Sequence, residues 1–264
     1  MNQEIILEAQ DISFAYRPEE PILEGLNLSI RQGDYLVIIG PNGGGKTTLL
    51  KIILGLLNPT GGKIIFNPEL FQSKNHRRHI GYVPQYIMFD REFPIKVIEV
   101  VVMGLLGLRG LFHFYSKKDY KLAEKTLDMV NMLDYKDRHI NELSGGQLQR
   151  VIIARTLVTK PKILLLDEPT TFIDSESQEN LSQYLTEWNK DTTIVMVTHD
   201  MGIVSKSAKQ IACINKKLFY HGGREIPPGV IEEVYGCPID LIAHGIPHRV
   251  FKEHNKTSTS HKHL

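Results

Sequence analysis

The sequence predicts an α/β fold: a mostly parallel central sheet, preceded by an antiparallel β subdomain and carrying an inserted α-helical subdomain. Three observations carry this. Uncharged, largely apolar runs at Tyr35–Ile39, Ile163–Leu166 and Thr193–Val197 have the length and composition of buried strands, and a helix-like stretch from Ser175 to Trp188 separates the last two. A glycine-rich segment beginning at Gly40 joins the first of these strands directly to an apolar helical run. From Phe89 to about Leu157 the pattern is helical, a block set into the alternation of strand and helix.

Taken in order, residues 4–31 hold β-rich runs such as Ile5-Ile6-Leu7 and Asp11-Ile12-Ser13-Phe14, broken at Arg17-Pro18-Glu19-Glu20-Pro21 and ended by Gln32-Gly33. They read as an antiparallel sheet leading into the first core strand. Lys46–Leu54 is a helix closed by Asn58-Pro59-Thr60-Gly61-Gly62, and strands at Lys63–Phe66 and Ile80–Val83 follow. Within the helical block, Ser116 with Asp119 three positions on reads as a cap for a helix whose apolar stripe is Leu122, Leu127, Val130 and Leu133. After His221 the sequence turns irregular and rich in histidine, and the last dozen residues read as disordered. The division is therefore 1–222 as the main domain, with its helical insert at about 89–157, and 223–264 as a C-terminal extension.

Bulk properties narrow the function. At 264 residues the chain holds one large α/β unit with appendages. Lys and Arg total 31 against 30 Asp and Glu, so the net charge of +1 supplies no general attraction to nucleic acid, which is not expected as a partner. Cys213 and Cys237 lie far apart without metal-type spacing, which argues against a disulfide framework and for a reducing compartment, the cytoplasm. The most apolar stretch, Val97–Leu108, is too short to span a bilayer and contains Glu99, and the N-terminus has no signal-like apolar core. Any membrane role is then peripheral. Neither an internal repeat nor a second phosphate loop is present, leaving one nucleotide half-site per chain.

Residues Gly40-Pro41-Asn42-Gly43-Gly44-Gly45-Lys46-Thr47, followed by Thr48, fit the pattern G-x-x-x-x-G-K-[ST] after a strand and before a helix. Positions without side chains let backbone N–H groups converge on phosphates, and the helix adds its positive end, so the core is that of a P-loop NTPase. Lys46 is placed to reach the β and γ phosphates and Thr47 to ligate Mg²⁺. Asp167 ends an uncharged strand, where an acid suits Mg²⁺ held through water; its alternative is a helix cap. Glu168, next to it, is placed to polarise the attacking water.

Leu143-Ser144-Gly145-Gly146-Gln147 opens an amphipathic helix, so its N–H groups form a second anion site. One chain already has its phosphate loop; this site makes sense facing the γ-phosphate bound to another chain, the alternative being an ordinary helix start. His199, after Thr193–Thr198, can meet a γ-phosphate oxygen or serve only structure. Gln85, ending Ile80-Gly-Tyr-Val-Pro-Gln85, can bring its amide oxygen to Mg²⁺ or sit on an exposed loop. Tyr16 is the candidate to stack on a purine, with Phe14 its competitor.

The order and separations of these motifs resemble the ATPase subunit of ABC transporters, over about residues 4–222. The resemblance implies ATP and Mg²⁺ as cofactors and a homodimer that sandwiches ATP, with Gly40–Thr48, Gln85, Asp167, Glu168 and His199 of one chain meeting Ser144–Gln147 of the other. It implies that Asp174, in Thr171-Phe172-Ile173-Asp174, links the two sites, although its neighbours depart from the commoner Ser-Ala-Leu-Asp. Gly44 stands where many members carry Ser or Ala, a change expected to leave the cradle intact.

Within the family, Phe93-Pro-Ile-x-Val97 leading to Glu99-Val-Val-Val-Met103-Gly104, and Thr198-His199-Asp200-Met201-Gly202, are similar to the zinc and manganese importer ATPases. This implies uptake of a divalent transition metal, zinc first and manganese or iron next. The implied partners are an integral membrane permease and, indirectly, an extracytoplasmic metal-binding protein, with the ATPase peripheral on the cytoplasmic face of the inner membrane. By the same analogy Gln85 to Leu105 receives a short cytoplasmic helix of the permease, while plain domain core accounts for part of the 97–108 stripe. Other cargo, such as a cofactor or lipid for export, and a soluble role in cluster assembly are the alternatives. Translation factors of this type pair two ATPase halves and repair proteins carry a long coiled coil; neither is present.

Six of the eleven histidines, His221, His244, His248, His254, His261 and His263, lie in the last part of the chain, a bias that suggests metal sensing or buffering. Cys237, His244 and His248 are the candidate ligands, the two histidines one turn apart if helical, though Pro238 and Gly245-Ile-Pro247 disfavour a helix. The alternative is a solvated tail packed loosely on the core.

Overall fold

Burial alternates over much of β1 (Ile5–Arg17) and β2 (Glu20–Arg31), with interruptions, the period of strands with one face on a core. The computed structural model describes residues 4–71, 76–86, 93–110, 114–170, 175–199, 208–223, 226–227, 229–235, 240–244 and 246–250. β1 pairs antiparallel with β2 on one side and with β4 (Gly61–Phe66) on the other, giving the expected antiparallel subdomain. The break at Arg17 is the hairpin turn, with Arg17 opposite Glu20.

The central sheet has six strands in the order β5 (Ile80–Val83), β6 (Ile163–Asp167), β7 (Thr193–Thr198), β3 (Tyr35–Ile39), β8 (Gln210–Asn215) and β9 (Lys217–Gly222). All neighbours are parallel except β8 and β9. Every residue of β3, β6 and β7 is buried, as expected of parallel strands covered on both faces. One face packs on α1 (Lys46–Ile53) and the three-stranded sheet through Leu36, Ile38, Leu49, Leu165 and Val197. The other packs on the helices through Val37, Ile39, Leu164, Leu166 and Met196.

The helical block comprises α2 (Val97–Met103), α3 (Leu106–Arg109), α4 (Lys117–Asp128) and α5 (Gly145–Leu157), and α6 (Ser175–Trp188) follows β6. Ser116 caps α4 as its sequence predicts: the Asp119 N–H donates to its hydroxyl, while the Asp119 carboxylate accepts from the Ser116 N–H and hydroxyl. Those bonds, the hydroxyl's after the backbone's, and the Arg109 guanidinium hold the Asp119 carboxyl down at about 2. Val97, Val100 and Val101 of α2 and Leu127 of α4 join Val151 and Ile153 of α5 in one core, so the stripe at 97–108 is domain core on one side. Met103, Leu106 and Leu108 on its other side remain exposed.

The expectation of irregular chain after His221 is corrected in part. Val230–Tyr235 forms α7, whose Ile231 and Val234 are buried and whose Val234 carbonyl accepts from the Asn215 amide at 2.8 Å. The spacing of two apolar residues a turn apart is too short to stand out in sequence, and packing on β8 stabilises it. β10 (Asp240–His244) and β11 (Ile246–Val250) form an antiparallel hairpin with His244 opposite Ile246 and His248 opposite Ile242. His244 and His248 therefore lie on paired strands, and a helical pair is ruled out. Cys237, His254, His261 and His263 fall outside the described residues, among which no group of three metal-binding side chains occurs. No helix among the described residues is long and apolar enough to cross a membrane.

Candidate active site

Four parallel strands, β3, β5, β6 and β7, deliver the predicted residues from their carboxyl ends, where an open α/β sheet leaves a crevice. Gly40 to Gly45 leave β3, Gln85 follows β5, Asp167 ends β6 with Glu168 beyond it, and His199 follows β7. A cavity of about 300 Å³ there is lined by Asn42, the loop through Thr48, Gln85, Glu168 and Ile22 from β2.

The loop is held by close approach. A Cβ on Gly40 would lie 1.9 Å from the Ile214 carbonyl oxygen, and Gly45, at φ 94°, would place one 2.5 Å from Leu23 Cδ2. Lys216 at the β8–β9 turn donates its N–H to the Gly44 carbonyl at 3.0 Å, tying the loop to the sheet edge. Gly44 is tighter than its sequence suggests: an added methyl would sit 3.0 Å from the Pro41 oxygen and 3.1 Å from that of Ile214, so the neighbours must yield slightly for Ala. The cradle tolerates that residue only by adjustment.

Lys46 is buried, and its ammonium donates to the Gly40 and Pro41 carbonyls at 3.0 Å each. It lies 3.9 Å from Glu168 Oε1. Burial pulls its pKa below the usual lysine range, while the nearby Glu168 and Asp167 carboxylates act in the opposite sense. The ammonium thus sits amid weak acceptors, ready for a stronger anion.

Asp167 is 1% exposed. Thr47 Oγ1 donates to its Oδ1 at 2.9 Å and the Tyr82 hydroxyl to its Oδ2 at 3.1 Å. Burial raises its pKa, and the two hydroxyl bonds, Thr47 before Tyr82, restrain the rise. A buried carboxylate beside a threonine hydroxyl, with only neutral donors in hydrogen-bond contact among the described residues, is a donor set that suits a hard divalent cation. This geometry favours the cation role of Asp167 over a helix cap.

Glu168 has a left-handed backbone, φ 46°, a conformation that costs energy for a residue with a side chain and is held by its N–H donating to the Val197 carbonyl at 2.9 Å. Its Oε2 accepts from Gln85 Nε2 at 2.6 Å, and its Oε1 lies 3.0 Å from His199 Nδ1, close for an ion pair although the angle is outside that of a hydrogen bond. Gln85 therefore meets Glu168 through its nitrogen here, leaving its amide oxygen available to a cation. The structure brings Lys46, Thr47, Asp167, Glu168, Gln85 and His199 together.

Ser144, Gly145, Gly146 and Gln147 start α5, as predicted, with a reciprocal cap: Ser144 Oγ accepts from the Gln147 N–H and Gln147 Oε1 from the Ser144 N–H. They are not among the residues lining the cavity. Tyr16 is 63% exposed and meets the buried ring of Phe14 edge-on, centroids 4.9 Å apart. Of the two aromatics only Tyr16 has a face open to a base. Asp174 lies outside the described residues, as do Thr171–Ile173 and Asp200–Gly202 of the subfamily motif.

Tyr82 is the residue that sequence reasoning missed. Its signal was a tyrosine inside a core strand one step from Val83, since a partly buried hydroxyl requires a partner.

The model of one family, described as ABC transporter, matches residues 23–171. A metal transport system ATP-binding protein of Chlamydia muridarum is 44% identical over 219 residues, covering 83% of this chain and 91% of that one. The zinc uptake system ATP-binding protein ZurA of Listeria innocua is 39% identical over 82% of this chain and 85% of its own. The high-affinity zinc uptake system ATP-binding protein ZnuC of Bacillus subtilis is 38% identical, covering 76% and 87%. Among solved structures, a metal-chelate type ABC transporter in an inward-facing conformation superposes with a TM-score of 0.81 at 26% identity, over 94% of this chain and 99% of that one. A dimeric bacterial ABC transporter cassette gives 0.67 at 29% identity, covering 84% and 100%.

Proposed function

This chain belongs to the ABC transporter family as an ATP-binding, ATP-hydrolysing subunit, and on that premise we propose that it energises uptake of a divalent transition metal, zinc first and manganese or iron next. The names of relatives at 38–44% identity over most of the chain are the observation that carries this reading, because cargo does not touch the nucleotide site.

In the proposed site the loop Gly40–Thr48 cradles the phosphates, with Pro41, Asn42, Gly43, Gly44 and Gly45 contributing backbone, and Tyr16 stacks on adenine. Lys46 leaves its carbonyl partners for the β and γ phosphates. Thr47, Asp167 and Gln85 would hold Mg²⁺, whose charge supplies electrostatic stabilisation of the transferring phosphoryl group. Glu168 accepts the proton of the attacking water, and His199, 3.0 Å from it, orients toward the γ-phosphate. Ser144–Gln147 of a second copy, with Asp174 linking the sites, completes a homodimer.

The partner we propose is a separate integral membrane permease, supplied by an extracytoplasmic metal-binding protein, with this subunit peripheral on the cytoplasmic face. A groove of about 550 Å³ between β5 and helices α2, α3 and α5 supports the docking of a short amphipathic helix. Tyr86, Met103 and Leu106 give it an exposed apolar rim, and the exposed Arg155 suits an acid on the incoming helix.

Total zinc, manganese and iron in metal-limited cells test the reading, comparing wild type with a chromosomal Lys46→Ala variant. A selective deficit in one metal is expected and names the cargo. Unchanged metals would redirect the function to other cargo.

A further inference from the structure

Tyr82 belongs to two features at once. It is on β5, one of the two edge strands of the six-stranded sheet, and is among the residues lining the 550 Å³ groove, where its carbonyl accepts from Thr156 Oγ1 of α5 at 3.4 Å. Its hydroxyl runs the other way and donates to Asp167 Oδ2 at 3.1 Å, across the strand pair β5–β6. The phenol hydroxyl is the donor of this bond and the carboxylate oxygen the acceptor.

Thr47 holds one oxygen of Asp167 and Tyr82 the other, so the carboxylate's orientation is set jointly by the phosphate loop and by the groove wall. We propose that Tyr82 is a positioning residue that couples the groove to the carboxylate that would hold Mg²⁺: an occupant that shifts edge strand β5 moves the Tyr82 hydroxyl and with it the orientation of the Asp167 carboxylate. β5, like β9 at the opposite edge, is paired on one side only, and at four residues it is the shortest strand of this sheet, so few ladder bonds hold it against displacement by a bound helix. The route is separate from Gln85, which reaches Glu168 rather than Asp167. It rests on the proposed docking of a membrane subunit in the groove.

Tyr82→Phe keeps the ring and deletes only the hydroxyl. The first measurement is the affinity of the isolated subunit, loaded with ATPγS, for Mn²⁺ by electron paramagnetic resonance, alongside fluorescent ATP binding in EDTA. Expected is Mn²⁺ affinity about tenfold weaker, the scale of one hydrogen bond to a carboxylate, with metal-free nucleotide affinity within about twofold of wild type. Equal Mn²⁺ affinity overturns the positioning role, and so does a parallel loss in EDTA, which would mean that Tyr82 only supports the fold. The second measurement repeats the Mn²⁺ titration in the complex with the co-expressed permease. Assembly should shift wild-type affinity by about threefold or more and leave Tyr82→Phe unmoved. An equal shift in both overturns the coupling. If no membrane subunit assembles, the docking reading beneath it fails, while the isolated-subunit result still decides the link between Tyr82 and Asp167.

Discussion

Two glycine-rich helix starts invite comparison, Gly40–Thr48 before α1 and Ser144–Gln147 before α5. At α1 the N-cap is Gly45, which has no side chain to turn back on the helix, and the loop is clamped by Ile214, Leu23 and Lys216 from the sheet and its flank. At α5 the cap is Ser144, and its own hydroxyl and the Gln147 amide close the first turn. The first start is clamped and brings Lys46 and Thr47 to a cavity they share with Glu168, with the buried Asp167 bonded to Thr47; the second is self-satisfied and does not line that cavity. At α1 the helix N–H groups have no side-chain cap and are open to a ligand, whereas at α5 a local cap already occupies them.

The residues gathered at the first start carry the largest expected effects. Glu168→Gln should lower ATP turnover by about 10² to 10⁴ while ATP binding persists, and an ATP-dependent dimer should accumulate in size-exclusion light scattering. Wild-type turnover in that variant would remove Glu168 as the base. Lys46→Ala should weaken fluorescent ATP binding by about tenfold or more, the loss of a buried charge-assisted contact; retained affinity would place the phosphates elsewhere.

Gly45→Ala tests the clamp. A left-handed φ and a Cβ 2.5 Å from Leu23 predict a loss of roughly 1–3 kcal/mol in denaturant unfolding, against less than about 1 kcal/mol for Gly44→Ala. Equal costs would mean that the loop is not held as described. The smallest effect sharpens the second start. Ser144→Ala and Ser116→Ala each remove a reciprocal cap and should each cost about 1 kcal/mol. Only Ser144→Ala should also weaken the ATP-dependent dimer by several-fold, with ATP binding by the single chain unchanged. A dimer equally sensitive to Ser116→Ala would reduce Ser144 to an ordinary helix start.

Much of this was legible in the chain. Strand, glycine loop and helix are contiguous, so residues 35–53 declare their conformation locally, and Ser116 with Asp119 announces its cap within four residues. The short α7 was not legible, because six residues carry too little periodicity and gain stability from β8. The pairing of His244 and His248 across a hairpin was hidden for a related reason, since spacing along a chain reads equally as helix or strand until a partner strand is known.

By itself the sequence determined the kind of fold, the phosphate loop, the acids at the end of β6 and the cap of α4, because each depends on neighbours a few positions away. Tertiary structure alone decided that Ile214 presses on Gly40, that Glu168 is held left-handed by the Val197 carbonyl, and that Tyr82 reaches Asp167. Those contacts join residues that are distant along the chain, and they exist only once the strand order and parallel register bring the carboxyl ends of β3, β5, β6 and β7 to one edge.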